Sequence, residues 1–475
     1  MTAHLTSTRH AHGPVQPYPR RWRVLALLSV AQFMLILDVT VVSIALPSIG
    51  ADLGLDRAAL TWVVTAYTLV FGGLMLLGGR AADLFDARRV VLTGLAIFTA
   101  SSLLAGLSAG AAMLIGARAG QGVGAALLSP AALSVVTTMF QGPERHRALG
   151  VWGALGGTGA AAGVLLGGVI TAGLGWTWIF FVNVPIGLAV LGALPGVVPR
   201  RAPGGGSGRL DLPGALTVTL ATAAAIYGLI NAGDRGWTSA STLGLLAAAV
   251  VLYGGFVLIE RVVRAPLVNL RILSRRRVAA GAFLMLVATG LLIAGFFLGS
   301  FYLQHLRGHS ALTTGLLFVP VALGTIAGAH SASHGVAHLG PRAVAGVALA
   351  VAAVGAGIPA VWSTTVAVVV GISVAAAGLG ATFVAATTTA LAEVPPEEAG
   401  VTSGIVNTFH ELGGSLGVAI ISTIAAAGLV PGQVAASGFT DAFVFSAVTA
   451  AVAALLSLVL VPAGRPPAGT PVHLH

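Results

Sequence analysis

The chain contains no cysteine and no lysine, and only 8% of its residues are charged. Without cysteine there are no disulfides and no thiolate metal sites. Without lysine there is no Gly-x-x-x-x-Gly-Lys-Ser/Thr phosphate loop, which excludes ATP drive through that device. The 14 acidic residues are scattered. A polytopic membrane enzyme, such as a lipid transferase, would instead gather carboxylates and histidines at one membrane face, so that class stands as the weaker alternative. Apolar residues fill the sequence: 56% of 475 positions are hydrophobic and the mean hydropathy is +0.96, more than a soluble core of this length hides. The composition reads as an all-α polytopic membrane protein.

Apolar stretches long enough to cross a hydrocarbon slab about 30 Å thick follow one another at 23–48, 59–78, 90–108, 112–138, 149–172, 178–198, 212–231, 242–261, 278–303, 312–333, 341–361, 365–391, 402–428 and 441–463. That makes fourteen expected transmembrane helices, and the 65 glycines suit helices that approach closely. The 24 basic residues, all arginine, set the orientation. With the N-terminus inside, Arg9, Arg20, Arg21, Arg23, Arg80, Arg88, Arg89, Arg145, Arg147, Arg200, Arg201, Arg209, Arg261, Arg264, Arg271, Arg275, Arg276, Arg277, Arg342 and Arg465 are cytoplasmic, 20 of the 24. Arg57, Arg235 and Arg307 fall outside and Arg118 falls within the membrane. Both termini are therefore expected in the cytoplasm. The net charge of +10 reflects this topology and anionic inner-leaflet lipid rather than nucleic acid.

The apolar run after Arg23 is longer than the core of a signal peptide and contains Asp38, so it reads as a retained first helix. Residues 1–22 form a polar cytoplasmic N-terminus and 464–475 a proline-rich tail, both expected to be disordered, with His473 and His475 in loose chain.

An internal repeat organises what lies between. Arg88 precedes Pro143-Glu144 much as Arg342 precedes Pro396-Glu397, at an offset of about 254 residues. Two parallel six-helix bundles, 23–200 and 278–463, follow from that offset, with the site between them near the midplane. Residues 201–277 form a linker that carries two extra transmembrane helices.

Ionisable residues inside the spans are the candidate functional groups, because each costs about 2.5–3.5 kcal/mol to insert at the membrane centre. At 1.5 Å per residue, Asp38 lies about 22 Å in from the cytoplasmic end of its helix and Arg118 about 8 Å in from the other face, so the two depths coincide. A neutralising Asp38–Arg118 pair follows, with a structural role and a proton-coupling role both open. His410 and Glu411 form a second polar pair, Glu411 about 14 Å deep, with Asn407 one turn earlier on the same face. Interhelical hydrogen bonding and a second protonation or cation-recognition site are both open for it. His330, His334 and His338 share a helix face without a carboxylate or cysteine nearby and read as a solvated interfacial face, not a metal site. Gln304, His305 and His309 read as an outer loop.

The residues resemble a known family, the fourteen-helix drug:proton antiporter branch of the major facilitator superfamily, over nearly the whole chain. Leu37-Asp38-Val39-Thr40-Val41-Val42 and Ala45-Leu46-Pro47 are similar to that branch's first-helix signature, with Ser43 where Asn is usual. Gly78-Gly79-Arg80-Ala81-Ala82-Asp83 with Arg88-Arg89 resembles the loop between helices two and three, from which Leu84, Asp86 and Ala87 depart. Arg118-Ala119-Gly120-Gln121-Gly122-Val123-Gly124 resembles the fourth-helix motif. Trp176-Thr177-Trp178-Ile179-Phe180-Phe181-Val182-Asn183-Val184-Pro185-Ile186-Gly187 matches the start of helix six, with Thr177 for Arg. The fifth helix, with Gly153, Gly156, Gly157, Gly159, Gly163, Gly167 and Gly168, is similar to the antiporter glycine motif, but Val164 replaces its proline. His410 and Glu411 stand where the family usually has Arg and Gln.

The resemblance implies the major facilitator fold and a proton-coupled exporter of small lipophilic or cationic compounds that works by alternating access in a bacterial cell membrane. Its partners are the small-molecule substrate, protons and membrane lipid, with no cofactor, no metal and a functional monomer. Asp38, Arg118, His410 and Glu411 would couple protons, and Thr40, Gln121 and Asn407 would line the substrate cavity. Gly79, Asp83, Arg88 and Arg89 would form a gating loop in which Asp83 latches onto a second-half helix N-terminus. Gly163, Gly167 and Gly168 would pack helices. Val164 keeps a facilitator or importer on the same fold as the alternative.

Overall fold

A computed structural model describes residues 18–140, 142–199, 210–263, 266–395, 398–426 and 436–463. Arg9, Arg200, Arg201, Arg209, Arg264, Pro396, Glu397, Arg465, His473 and His475 lie outside the described residues. The described chain is helical: α1 Arg21–Leu53, α2 Arg57–Leu84, α3 Ala87–Gly106, α4 Ala111–Met139, α5 Gly142–Gly173, α6 Trp178–Phe181, α7 Asn183–Val197, α8 Leu212–Arg235, α9 Ala240–Val262, α10 Leu270–Leu273, α11 Arg276–Phe301, α12 Ala311–Leu317, α13 Val319–Leu339, α14 Pro341–Val361, α15 Thr365–Leu391, α16 Ala399–Ile424 and α17 Ala436–Leu460.

Length and apolarity make these helices spans, and local chemistry ends them. Twelve segments among the described residues are long and apolar enough to cross a membrane. α5 and α16, 32 and 26 residues long, are two further long helices outside that count, which is consistent with the fourteen expected. α1 stops at Gly54, whose φ of 60° is a conformation glycine adopts freely, and Asp56 then caps α2 by accepting the Ala59 N–H at 2.7 Å. α9 leaves Val250, Val251 and Leu258 exposed, as a lipid-facing helix does.

The helices pack as two groups. α1 packs on α5, and α2 and α3 pack on α4, with α7 behind α3; in the second group α11 packs on α15 and α16, and α14 on α15 and α17. Each group has its own apolar core on the side of the chain termini, one running from Val24 to Val198 and the other from Ala280 to Val461. On the opposite side a single core joins them, with Ile44 and Val63 beside Phe297, Phe318 and Val418. Hydrogen bonds across the join lie on that same side, Thr68 to Ser415 at 2.6 Å, Thr61 to Ser422 at 2.9 Å and Gln304 Nε2 to the Ile44 carbonyl at 2.9 Å. The molecule is thus sealed at the face opposite its termini.

The repeat appears in side-chain contacts. Arg21 at the start of α1 pairs with Glu144 at the start of α5, and Arg275 before α11 pairs with Glu398 before α16. Both partners are 123 residues apart, and the offset is 275 − 21 = 254 and 398 − 144 = 254. Close glycine packing repeats at the same offset: Gly159 and Gly163 face α1, while Gly413 and Gly417 (159 + 254 and 163 + 254) face α11. The α8–α9 hairpin has no counterpart and lies against α2, with α8 also touching α16.

Candidate functional site

Five helical elements converge on Asp38, which is 1% exposed on α1. Arg118 of α4, equally buried, donates to its Oδ2. The other carboxylate oxygen, Oδ1, accepts Gln121 Nε2 at 3.0 Å and Asn183 Nδ2 at 3.2 Å. Gln121 lies one turn after Arg118, so the same face of α4 supplies both the charge and the amide. Arg118 is itself fixed by the Val63 carbonyl at 3.0 Å and Gln121 Oε1 at 2.8 Å, and its guanidinium lies 4.5 Å from the centre of the Tyr67 ring. Ser102 of α3 takes the second Gln121 amide proton at 2.9 Å. Among the described residues the Tyr67 hydroxyl and Asn183 Oδ1 have no hydrogen-bond partner, although both are buried.

Such a cluster satisfies a buried charge with an opposite charge and several dipoles, the arrangement that makes burial tolerable. Asp38 and Arg118 come together as their depths suggest, and Gln121, expected in the substrate cavity, joins them. Asn183, Ser102 and Tyr67 complete the shell; sequence reasoning does not mark them as site residues, although Asn183 stands in the helix-six motif as a polar residue amid apolar neighbours. The repeat-equivalent positions, Leu292, Ile372 and Ala375 (38, 118 and 121 plus 254), instead border an apolar cavity. The charged cluster belongs to the first half alone.

α16 bears the second polar centre, but its two neighbours part company. His410 points into the second group, its Nδ1 2.8 Å from Thr289 Oγ1 and its ring 5.6 Å from that of Phe383. Glu411 faces α2, where a Cβ added at Gly72 would sit 2.7 Å from the Glu411 Cβ. Consecutive residues on a helix are 100° apart, so the expected His410–Glu411 pair is two separate features. The Glu411 carboxylate has no hydrogen bond or ion pair among the described residues, while its backbone carbonyl accepts the Ser415 hydroxyl at 3.3 Å, and Tyr67 is close enough to interact electrostatically with Glu411 as well as with Asp38 and Arg118. Asn407 is exposed. Its direction falls between the α2-facing stripe (Gly404, Glu411, Ser415) and the α11-facing stripe (His410, Gly413, Gly417), which turns it toward the cleft between the halves.

Several of the remaining expectations need correction and others hold. Thr40 is buried and seals α1 against α5, its Oγ1 1.8 Å from where a Gly163 Cβ would stand, so it does not line a cavity. Gln121, fully buried in the Asp38 cluster, does not line one either. Asp83 is exposed and has neither hydrogen bond nor ion pair among the described residues, so the latch is not made in this conformation. Arg88 reaches the Pro195 carbonyl at 2.9 Å within the first half, Arg89 is exposed, and Gly79 lies 3.7 Å (at its added Cβ) from Pro130. Gly167 packs on Val41 of α1, while Gly168 meets Ala311 and Leu312 of α12 across the join. Gln304 and His305 belong to a π-helical turn, Tyr302–Leu306, not to a loop, and the extra residue of that turn aims Gln304 at α1. The rings of His330 and His334 lie 5.0 Å apart, tilted to one another, on an exposed face that continues to His338, and no group of three metal-ligating side chains is found among the described residues.

Comparison with known proteins places these features in context. The family model described as Major Facilitator Superfamily matches residues 28–418. The puromycin resistance protein pur8 of Streptomyces alboniger is 39% identical over 420 residues, 86% of this chain and 82% of that protein. The cephamycin export protein CmcT of Amycolatopsis lactamdurans is 38% identical over 447 residues, 92% of each chain. Among solved structures, a bacterial homolog of the human lysosomal transporter Spinster, inward-facing and unoccupied, superimposes with a TM-score of 0.64 at 18% identity, covering 93% of this chain and 97% of that one. At that identity the likeness is one of fold alone.

Proposed function

This chain belongs to the Major Facilitator Superfamily and is a multi-pass membrane transporter of small molecules, not an enzyme, and we propose that it exports small lipophilic or cationic compounds, antibiotics among them, in exchange for protons. The export direction is supported by the names of its relatives, one a resistance protein and one an export protein. The termini-bearing face is the cytoplasmic one on the strength of its arginines, which makes the conformation with the sealed opposite face inward-open. Bundles 23–200 and 278–463 are the moving bodies, bridged by 201–277, in a bacterial cell membrane.

The observation that carries proton coupling is the Asp38 carboxylate buried against Arg118. A proton and the guanidinium compete for the same oxygens, so a movement that withdraws Arg118 or admits water changes the proton affinity of Asp38. Glu411, on the other half and facing α2, is the second group poised to respond to the relative position of the halves. One proton moving down 100 mV supplies about 2.3 kcal/mol to export. A facilitated, uncoupled mode is the second reading, and the unbroken run of α5 through Val164 favours it. The test is an efflux screen of puromycin, a cephamycin and lincomycin in cells expressing the full chain, with and without a protonophore. Export that the protonophore stops supports antiport; export it leaves intact selects the uncoupled mode.

A further inference from the structure

Arg57, the first residue of α2, is an arginine at the sealed face that is only 6% exposed. Buried arginine needs a counter-charge and hydrogen-bond acceptors. Both come from α8, the first of the two linking helices: Arg57 Nη2 donates to Asp234 Oδ1 at 2.6 Å and to the Ile230 carbonyl at 2.6 Å, and Nε reaches Asp234 Oδ1 at 3.2 Å. The guanidinium lies over Gly233, where a Cβ would stand 2.8 Å from Nη2. Its remaining edge points across the join, with Nη1 3.4 Å from Ser422 Oγ on α16. Ser422 in turn accepts Thr61 at 2.9 Å, and Thr423 beside it donates to the Leu229 carbonyl of α8 at 2.8 Å. Leu69, Ile226, Ile230 and Ala419 form a small apolar core shared by α2, α8 and α16 immediately below.

We propose that α8 is a working part of the outer gate: Asp234 supplies the counter-charge that lets Arg57 be buried against Ser422 when the outside is closed. This rests on the alternating-access reading. Opening the outside separates α2 from α16 and hydrates Arg57, so a closed gate without Asp234 holds an uncompensated charge, and the balance shifts toward open. The linking helices are then more than a tether between the halves.

The natural absence of cysteine makes the test direct. Thr65, fully buried on α2 between Thr61 and Thr68, becomes the single thiol as Thr65→Cys in the full chain. Right-side-out vesicles are treated with a membrane-impermeant maleimide and the initial labelling rate is read. Asp234→Asn raises that rate about tenfold over the parent, and the double variant Arg57→Met/Asp234→Asn, which removes the charge as well as its partner, returns it to near the parent value. Thr238→Cys in the exposed turn before α9 labels equally in every background, which shows equal insertion and reagent access, and an unchanged gel-filtration profile shows that the variants are folded. An unchanged rate in Asp234→Asn, with a raised rate in Ser422→Ala, would overturn the role of α8 while leaving the gate standing. A rate raised in Asp234→Asn but not restored in the double variant would overturn the counter-charge account. Unchanged rates in all variants, Ser422→Ala included, would remove the outer gate and the alternating-access reading with it.

Discussion

Asp38 carries its charge at a depth where only Arg118 and the amides of Gln121 and Asn183 compensate it. Removing one member of a buried pair leaves the other uncompensated, which costs about 3–5 kcal/mol, whereas removing both costs far less. Asp38→Asn is therefore expected to lower the melting temperature of the purified protein and to abolish transport. Asp38→Asn/Arg118→Met is expected to recover most of the stability and none of the transport; recovery of both in the double variant would make the pair structural only. The pairing was legible in the sequence because depth along a helix is a matter of counting residues. Asn183, Ser102 and Tyr67 were not, because their part depends on which way a side chain faces once the helices have packed. The same limit explains Thr40 and Gln121, whose place in a motif said nothing of whether they meet a cavity, a glycine or a carboxylate.

At the scale of the helix, glycine sets how closely α1 and α5 approach. A methyl group at Gly163 would fall 1.8 Å from Thr40 Oγ1 and 3.0 Å from its Cβ, so the helices must part or the threonine must turn. Gly163→Ala is expected to destabilise the protein by about 1–3 kcal/mol, the usual cost of overpacking, and Thr40→Ala in the same chain should restore part of it. Thermal unfolding in detergent reads both changes; additive losses would show that the two residues do not share one contact. The long helices were readable because a membrane of fixed thickness demands apolar runs of fixed length. The π turn at Tyr302–Leu306 was not, since one added residue in a helix leaves the apolar pattern almost unchanged, yet it carries Gln304 from an expected loop to a bond with α1.

For the whole molecule, the 254-residue offset read in the sequence reappears as paired ion contacts and paired glycines, while the chemistry is unequal. Asp38, Arg118 and Gln121 in the first half correspond to Leu292, Ile372 and Ala375, and Asn407 and Glu411 in the second correspond to Gly153 and Gly157. Each half thus brings a polar centre that the other lacks. The repeat was legible from offsets; which face is sealed was not, because that depends on how the halves tilt. With the conformation described, Asn407→Cys should react quickly with maleimide from the cytoplasmic side and Thr65→Cys slowly from the outside. On the latch reading of Asp83, Asp83→Ala should raise the Asn407→Cys rate further, and an unchanged rate would leave Asp83 an ordinary surface residue. The most direct test of proton-coupled export is made in inverted vesicles carrying the full chain, with an acidic interior imposed and a compound that the efflux screen shows to be exported added outside. The account predicts accumulation that follows the size of the pH gradient, with proton release on addition of the exported compound, both absent in Asp38→Asn; accumulation indifferent to the gradient, or unchanged in Asp38→Asn, would contradict it.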